Sequence, residues 1–214
     1  MATLTVTNNS GWSLLHKAES IASGCQDGVD ALAAIVLSFS ALEAFVSELE
    51  WLCGREKSNV ALAELAVFLE ALEANHAPMK NKLDAIALKS TGKKSDWGRS
   101  PLQDLAHLKI LRDWGVHPKP VVGSSDKDVE DTLEAKFFID LGLIDERHVG
   151  NHATWNSVVL VQPVAEWACR TVRAVIDETL SSLPESDATT HARSAWQRGS
   201  VARAIDGGRS TAEL

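Results

Sequence analysis

The stretch VDALAAIVLSFSALEAFVSELEWL, from Val29 to Leu52, decides the fold. Leu32, Ile35, Val36, Phe39, Leu42, Phe45, Val46 and Leu49 recur at steps of three and four, the period of an α-helix. A helix lying on a protein surface carries one apolar stripe. Here the stripe is broader, so the segment predicts a long helix running through a core. Glu43 falls at its edge, between Phe39 and Val46. A buried, unpaired carboxylate is costly, so Glu43 calls for a cationic partner, either in an ordinary ion pair or as a supporting residue beside Arg112.

Outward from this helix the same period recurs. Residues 13–22 suit a short first helix. Residues 59–74 suit a third, capped by Ser58 or Asn59 and burying Leu62, Leu65, Ala66, Leu69 and Leu72, and 80–88 a fourth. A Gly/Lys/Ser loop over 91–100 leads to Pro101, well suited to open the next helix. Another helix is expected from Ser125 through Ile144, then an extended connector over 155–161, then a last helix opened by Pro163. No run alternates long enough to force a sheet, so the expected fold is all-α, one helical domain over 1–184. Beyond Pro184 large apolar residues become scarce, which predicts a flexible, mobile tail over 185–214 with one docking point at Trp196.

A chain of 214 residues that is 45% hydrophobic can bury a substantial core. No run reads as a membrane span and no export signal opens the chain, so the expectation is a cytoplasmic protein with no membrane anchor. Cys25, Cys53 and Cys169 are odd in number, widely spaced and set in apolar helical stretches, the pattern of buried free thiols. The net charge of −8 argues against a protein that coats nucleic acid, yet Lys80 to Lys119 holds nine basic residues against four aspartates. Such a segment is either a focused anion-binding face, with Arg99, Lys109 and Lys119 as substrate-binding candidates, or a solvated loop. Most of the seven tryptophans fall at core-like positions; Trp97 and Trp114 lie within this segment, either as packing residues or as rings on which bases stack.

The tract LKILRDWGVHPKP, Leu108 to Pro120, sets an arginine, an acid and a histidine at the close of a helix. Gly115, as a left-handed C′ residue, and Pro118 are stop signals that predict a helix ending just before His117. On an unbroken helix Arg112 and His117 would lie about 140° apart, but an unwound last turn lets both lean toward one pocket. There His117 can move a proton while Arg112 neutralises charge on phosphoryl oxygens. The plain alternative is that both merely complement the helix dipole, worth about 0.3–1 kcal/mol each. Arg147 and His152 repeat the spacing, and with 7 histidines in the chain one such pair arises by chance about once, so context must choose. His148 and His152 are separated by Gly150 and Asn151 and have no third ligand nearby, so neither metal nor other cofactor is expected.

Context favours the first pair. The segment from Lys80 through LKSTGKKSDWGRSPLQDLAHLKILRDWGVHPKP resembles the HEPN superfamily, whose signature is Arg, a polar residue, a few variable positions and His, commonly followed by a lysine, here Lys119. SFSALEAFVSELEWL, Ser38 to Leu52, looks like the family's long early helix, and QPVAEWACRTVRAVIDETLSSLP, Gln162 to Pro184, is similar to a closing helix. Asp113 stands where asparagine is commonest and adds a negative charge beside the phosphate position. The resemblance implies a HEPN-like helical bundle acting as a metal-independent endoribonuclease in defence or toxin–antitoxin biology. It further implies RNA as substrate, an antitoxin or other protein partner, and a homodimer in which two motifs face each other. Each subunit would then supply one catalytic His117, oriented by its own or its partner's Asp113. The alternative implied is a non-catalytic HEPN-like module that dimerises and binds RNA, a nucleotide or a protein.

Overall fold

The computed structural model describes residues 10–56, 58–117, 133–145 and 158–207. Among them are eight helices and no strand, so the fold is all-α. In chain order these are α1 (Ser10–Ser23), α2 (Gly28–Arg55), α3 (Val60–Ala74), α4 (Met79–Thr91), α5 (Leu102–Val116), α6 (Leu133–Asp140), α7 (Gln162–Ser182) and α8 (Asp187–Gly207). The chain divides into two compact units, each discontinuous in sequence. One, the motif unit, comprises Ser13–Leu42 and Asp96–Val175; the other, the hairpin unit, comprises Met1–Trp12, Glu43–Ser95 and Ile176–Leu214.

The motif unit buries Leu15 and Ala18 of α1, Ile35 and Phe39 of α2, Leu105, Leu108 and Leu111 of α5, and Val164, Trp167 and Val172 of α7. Burying each large side chain contributes about 1.5–3 kcal/mol, so this apolar set, not local propensity, holds the helices in place. An aromatic cluster joins α6 to α7: the Trp167 ring lies edge-on to Phe137 and Phe138, with centroids 5.8 and 5.1 Å away. Arg173 of α7 donates from Nε and Nη2 to Glu19 of α1 at 3.0 and 2.8 Å. The helix foreseen from Ser125 is described from Leu133, and it stops where Gly142 takes a φ of 68°, its N–H donating to Ile139 at 2.8 Å. Val158 and Val159, in the expected extended connector, are instead helical and buried.

The hairpin unit is built on α3 packed against α4. Asn59 caps α3 as expected, its side chain accepting from the Leu62 N–H at 3.3 Å. Ion pairs tie the two helices together, Lys82 with Glu73 and Lys89 with Glu64, while Lys80 pairs with Asp84 within α4.

The expected tail needs correction. From Asp187 to Gly207 the segment is a helix, α8, and Trp196 is only 4% exposed, its indole N–H donating to Asp177 of α7 at 2.6 Å. Arg193 donates to the carbonyls of Leu180 and Leu183 at the end of α7, at 2.9 and 2.6 Å. Ser186 and Thr189 start α8 by exchanging bonds, each main-chain N–H donating to the other's hydroxyl at 3.0 and 3.2 Å, in the manner of a capping box. Few apolar residues are needed when polar groups do this much of the anchoring.

Two composition-based expectations also shift. By length and composition α2 is apolar enough to cross a membrane, contrary to the reading that no run approaches a span; half of its most apolar stretch is buried inside the protein, as in a core helix. Cys53 and Cys169 are buried and outside any disulfide, with burial pushing Cys53 up to about 12, so it stays protonated at neutral pH. Cys25 is part-exposed and sits in the turn between α1 and α2 rather than in a helix.

Candidate functional site

The last turns of α5 form one wall of an open cleft of about 510 Å³, lined by Ile110, Arg112, Asp113, Trp114 and His117. Ile110, Asp113, Trp114 and His117 follow the i, i+3, i+4, i+7 rule and so share one face at the end of the helix. Leu105, Leu108 and Leu111 are turned into the core instead. Arg112 leaves the helix on the other side. Its guanidinium lies over the Phe39 ring of α2, 4.3 Å from the centroid, and its Nη1 reaches Asp113 Oδ1 at 3.1 Å. The other carboxylate oxygen, Oδ2, accepts from Lys109 Nζ at 2.5 Å, so Asp113 is held between two cations.

His117 caps α5, with its own N–H donating to the Asp113 carbonyl at 2.9 Å and its backbone, at φ −126° and ψ 65°, outside the α region as suits a residue before proline. Its side chain is exposed to solvent. Gly115 does not serve as a left-handed C′ residue; it lies inside α5. A Cβ there would stand 2.2 Å from Cδ1 of Leu32 on α2, so any side chain at 115 requires the tip of Leu32 to move. The helix therefore ends where expected for a partly different reason.

The cleft is close to balanced in charge. Lys109 and Arg112 outweigh Asp113 by one positive charge, but the carbonyl end of α5 also disfavours an anion here. Arg99 does not join the cleft. It is exposed and precedes α5, so the helix, about 22 Å long at 1.5 Å per residue, separates it from His117. Glu43 is exposed on α2 in the hairpin unit, which removes the burial argument for pairing it with Arg112. Lys119 and the alternative pair of Arg147 and His152, with His148, lie outside the described residues.

The basic segment also reads differently in three dimensions. Lys80, Lys82, Lys89, Lys93 and Lys94 belong to the hairpin unit, and the first three are ion-paired to carboxylates. Only Arg99, Lys109 and Arg112, of its described members, belong to the motif unit. Among the described residues no group of three His, Cys, Asp or Glu is arranged to hold a metal ion.

Two contributors to the cleft were not singled out from the sequence. Phe39 supports the arginine, and nothing local to Arg112 announces a ring supplied from so far along the chain. Ile110 sits off the Leu105–Leu108–Leu111 stripe together with Trp114. Apolar residues that a core does not use are the signal that would have found this wall. Compared with protein-family models, curated proteins and solved structures, the chain has no match.

Proposed function

We propose that the cleft at the end of α5 is the active site of a metal-independent endoribonuclease of the HEPN type, working in the cytoplasm. The observation that carries this reading is that one open cleft takes Arg112, Asp113 and an exposed His117 together. Neutral His117 removes the proton from a ribose 2′-hydroxyl, which attacks the adjacent phosphorus. The 5′-oxygen leaves with a proton from a second imidazole, giving a 2′,3′-cyclic phosphate and a 5′-hydroxyl. Arg112 offsets the charge that builds on the non-bridging oxygens. One histidine cannot be base and acid in the same step, so the reading includes a two-fold dimer that supplies the second His117. Sedimentation should give a dimer at micromolar concentration; a monomer that still cleaves would overturn that part. A defence or toxin–antitoxin setting, with an antitoxin as protein partner, accompanies the reading.

The test is cleavage of single-stranded RNA in EDTA by wild type and His117→Ala. Wild type should leave cyclic phosphate ends and the variant should be inert, as should substrates methylated at the 2′-hydroxyl. Loss of wild-type cleavage on chelation would sink the chemistry. One observation favours a second reading, a HEPN-like module that binds RNA or a partner without cutting: Asp113 engages both Lys109 and Arg112 and weakens the field an anion would meet. RNA that binds wild type but is cut by neither wild type nor Asp113→Asn would establish it.

A further inference from the structure

Apart from three glutamates, every residue of α3 is apolar, the composition of a helix covered on all sides. Yet only Leu62, Leu65, Ala66 and Leu69 are buried. At 100° per residue these four occupy about 100° of the helix surface. On the opposite face Val60, Val67 and Ala74 follow one another at seven-residue steps, with Ala71 beside them, and all four are exposed, Val60 at 70% and Val67 at 65%. A contiguous apolar stripe left in water marks a docking surface. We infer that this stripe is a self-association face, on which α3 of a second copy of the chain lies antiparallel across a two-fold axis at Val67. The face belongs to the hairpin unit, so the inference goes beyond the cleft reading and does not depend on it.

Seven-residue spacing is the period at which one helix meets another along a seam, and small side chains let the two axes come close. Antiparallel alignment about Val67 sets Val67 against its own counterpart and Val60 against Ala74 of the other copy. Charge selects this alignment. The end of α2 runs along one flank of α3: a Cβ on Gly54 would stand 3.6 Å from Ala66, while burial, Glu73 and Glu70 together push the Glu50 carboxyl up. Exposed Arg55, 4.0 Å over the Trp51 ring, therefore stands beside the first half of α3, and exposed Glu70 lies in its second half on the same flank. Reversing the helix across the axis carries Glu70 of each copy toward Arg55 of the other. A parallel alignment instead turns the Glu70 flank of one copy toward the Glu64 flank of the other, where Glu64 is already paired with Lys89 at 2.8 Å. The helix offers a face about 22 Å by about 10 Å, well below the ~800 Å² per partner of a standard interface, so the contact is weak and forms above the concentrations at which the cleft dimer is expected.

The test is sedimentation of the full chain from about 5 to about 300 micromolar, where mass action favours weak association. Wild type should gain mass at the upper end. Val67→Glu should not, because it sets two carboxylates against each other across the axis, while glutamate suits an exposed helix position at least as well as valine. Arg55→Glu and Glu70→Arg should each weaken the association about threefold to fivefold, the scale of an exposed ion pair, and the double variant should return to wild type. Circular dichroism and thermal melting keep a fold defect from passing as an association defect. No gain in mass by wild type overturns the inference, and so does a gain that survives Val67→Glu. A double variant that associates no better than either single variant overturns it as well. The cleft reading is tested apart from this: the species at the lower end reports on the cleft dimer, and only the gain at the upper end reports on α3.

Discussion

Two arginines near helix ends, Arg112 and Arg193, are almost equally exposed, 23% and 21% of their side chains, yet they are held in opposite ways. Arg193 donates to two main-chain carbonyls and to Glu185, filling its hydrogen-bonding fork with groups that finish α7 and anchor α8. Arg112 rests on the Phe39 ring and a neighbouring carboxylate and lines an open cleft. Exposure alone therefore does not separate these two settings. What separates them is whether the partners are carbonyls that would otherwise lack a donor, as for Arg193, or a ring face and the carboxylate of the next residue, as for Arg112.

The largest effect should fall on chemistry. Arg112→Ala or His117→Ala should lower RNA cleavage by about 10²–10⁴-fold with little change in melting temperature, since general acid–base and charge-stabilising groups contribute on that scale. Arg193→Ala should do the opposite: a lower melting temperature and an unchanged rate per folded molecule. Cleavage that survives loss of Arg112 but not of Arg193 would break the comparison. Next in size, Trp196→Ala should destabilise the protein by about 3–5 kcal/mol in chemical unfolding, because it empties a buried indole site and strands Asp177 without its donor. A loss under about 1 kcal/mol would return residues from 187 onward to the status of a tail.

Gly115→Ala should cost under about 1 kcal/mol, because the tip of Leu32 must give way while alanine's better helix propensity offsets part of that strain. A stabilising Gly115→Ala would show that α2 and α5 are less closely packed than described. The smallest change is Asp113→Asn, which removes a negative charge between Lys109 and Arg112; cleavage should hold or rise a few-fold, read as kcat/KM.

Much of this was legible in the chain, but unevenly. Helical period alone marked α2, α3 and α5, since apolar stripes are local patterns that a core simply accepts. The end of α5 was placed correctly while Gly115 was assigned the wrong role, because a glycine required for a left-handed turn and one required for close approach look identical in sequence. Leu32 is 83 positions away and decides between them. Trp196 was marked as a docking point, but the helix from Asp187 was missed because its other anchors are Thr189 and Arg193 rather than an apolar stripe. The lysines of α4 suggested an anion-binding face until Glu64 and Glu73 of α3 appeared beside them, a pairing set by helix packing and not by any local spacing.

The contact at Gly115 has a mechanical side. Leu32 meets Gly115 and Phe39 meets Arg112, so as one moves up α2 one moves down α5. Seven residues of α2 advance about 10 Å and three of α5 about 4.5 Å, and the long arginine side chain, leaning toward the start of its helix, makes up the difference. A single contact would leave α5 able to swivel about it. Two contacts at different depths, added to the buried Leu105, Leu108 and Leu111, act as a vice on the rotation and insertion of the helix end, so the spacing of Leu32 and Phe39 on another helix bears on the azimuth at which His117 leaves α5.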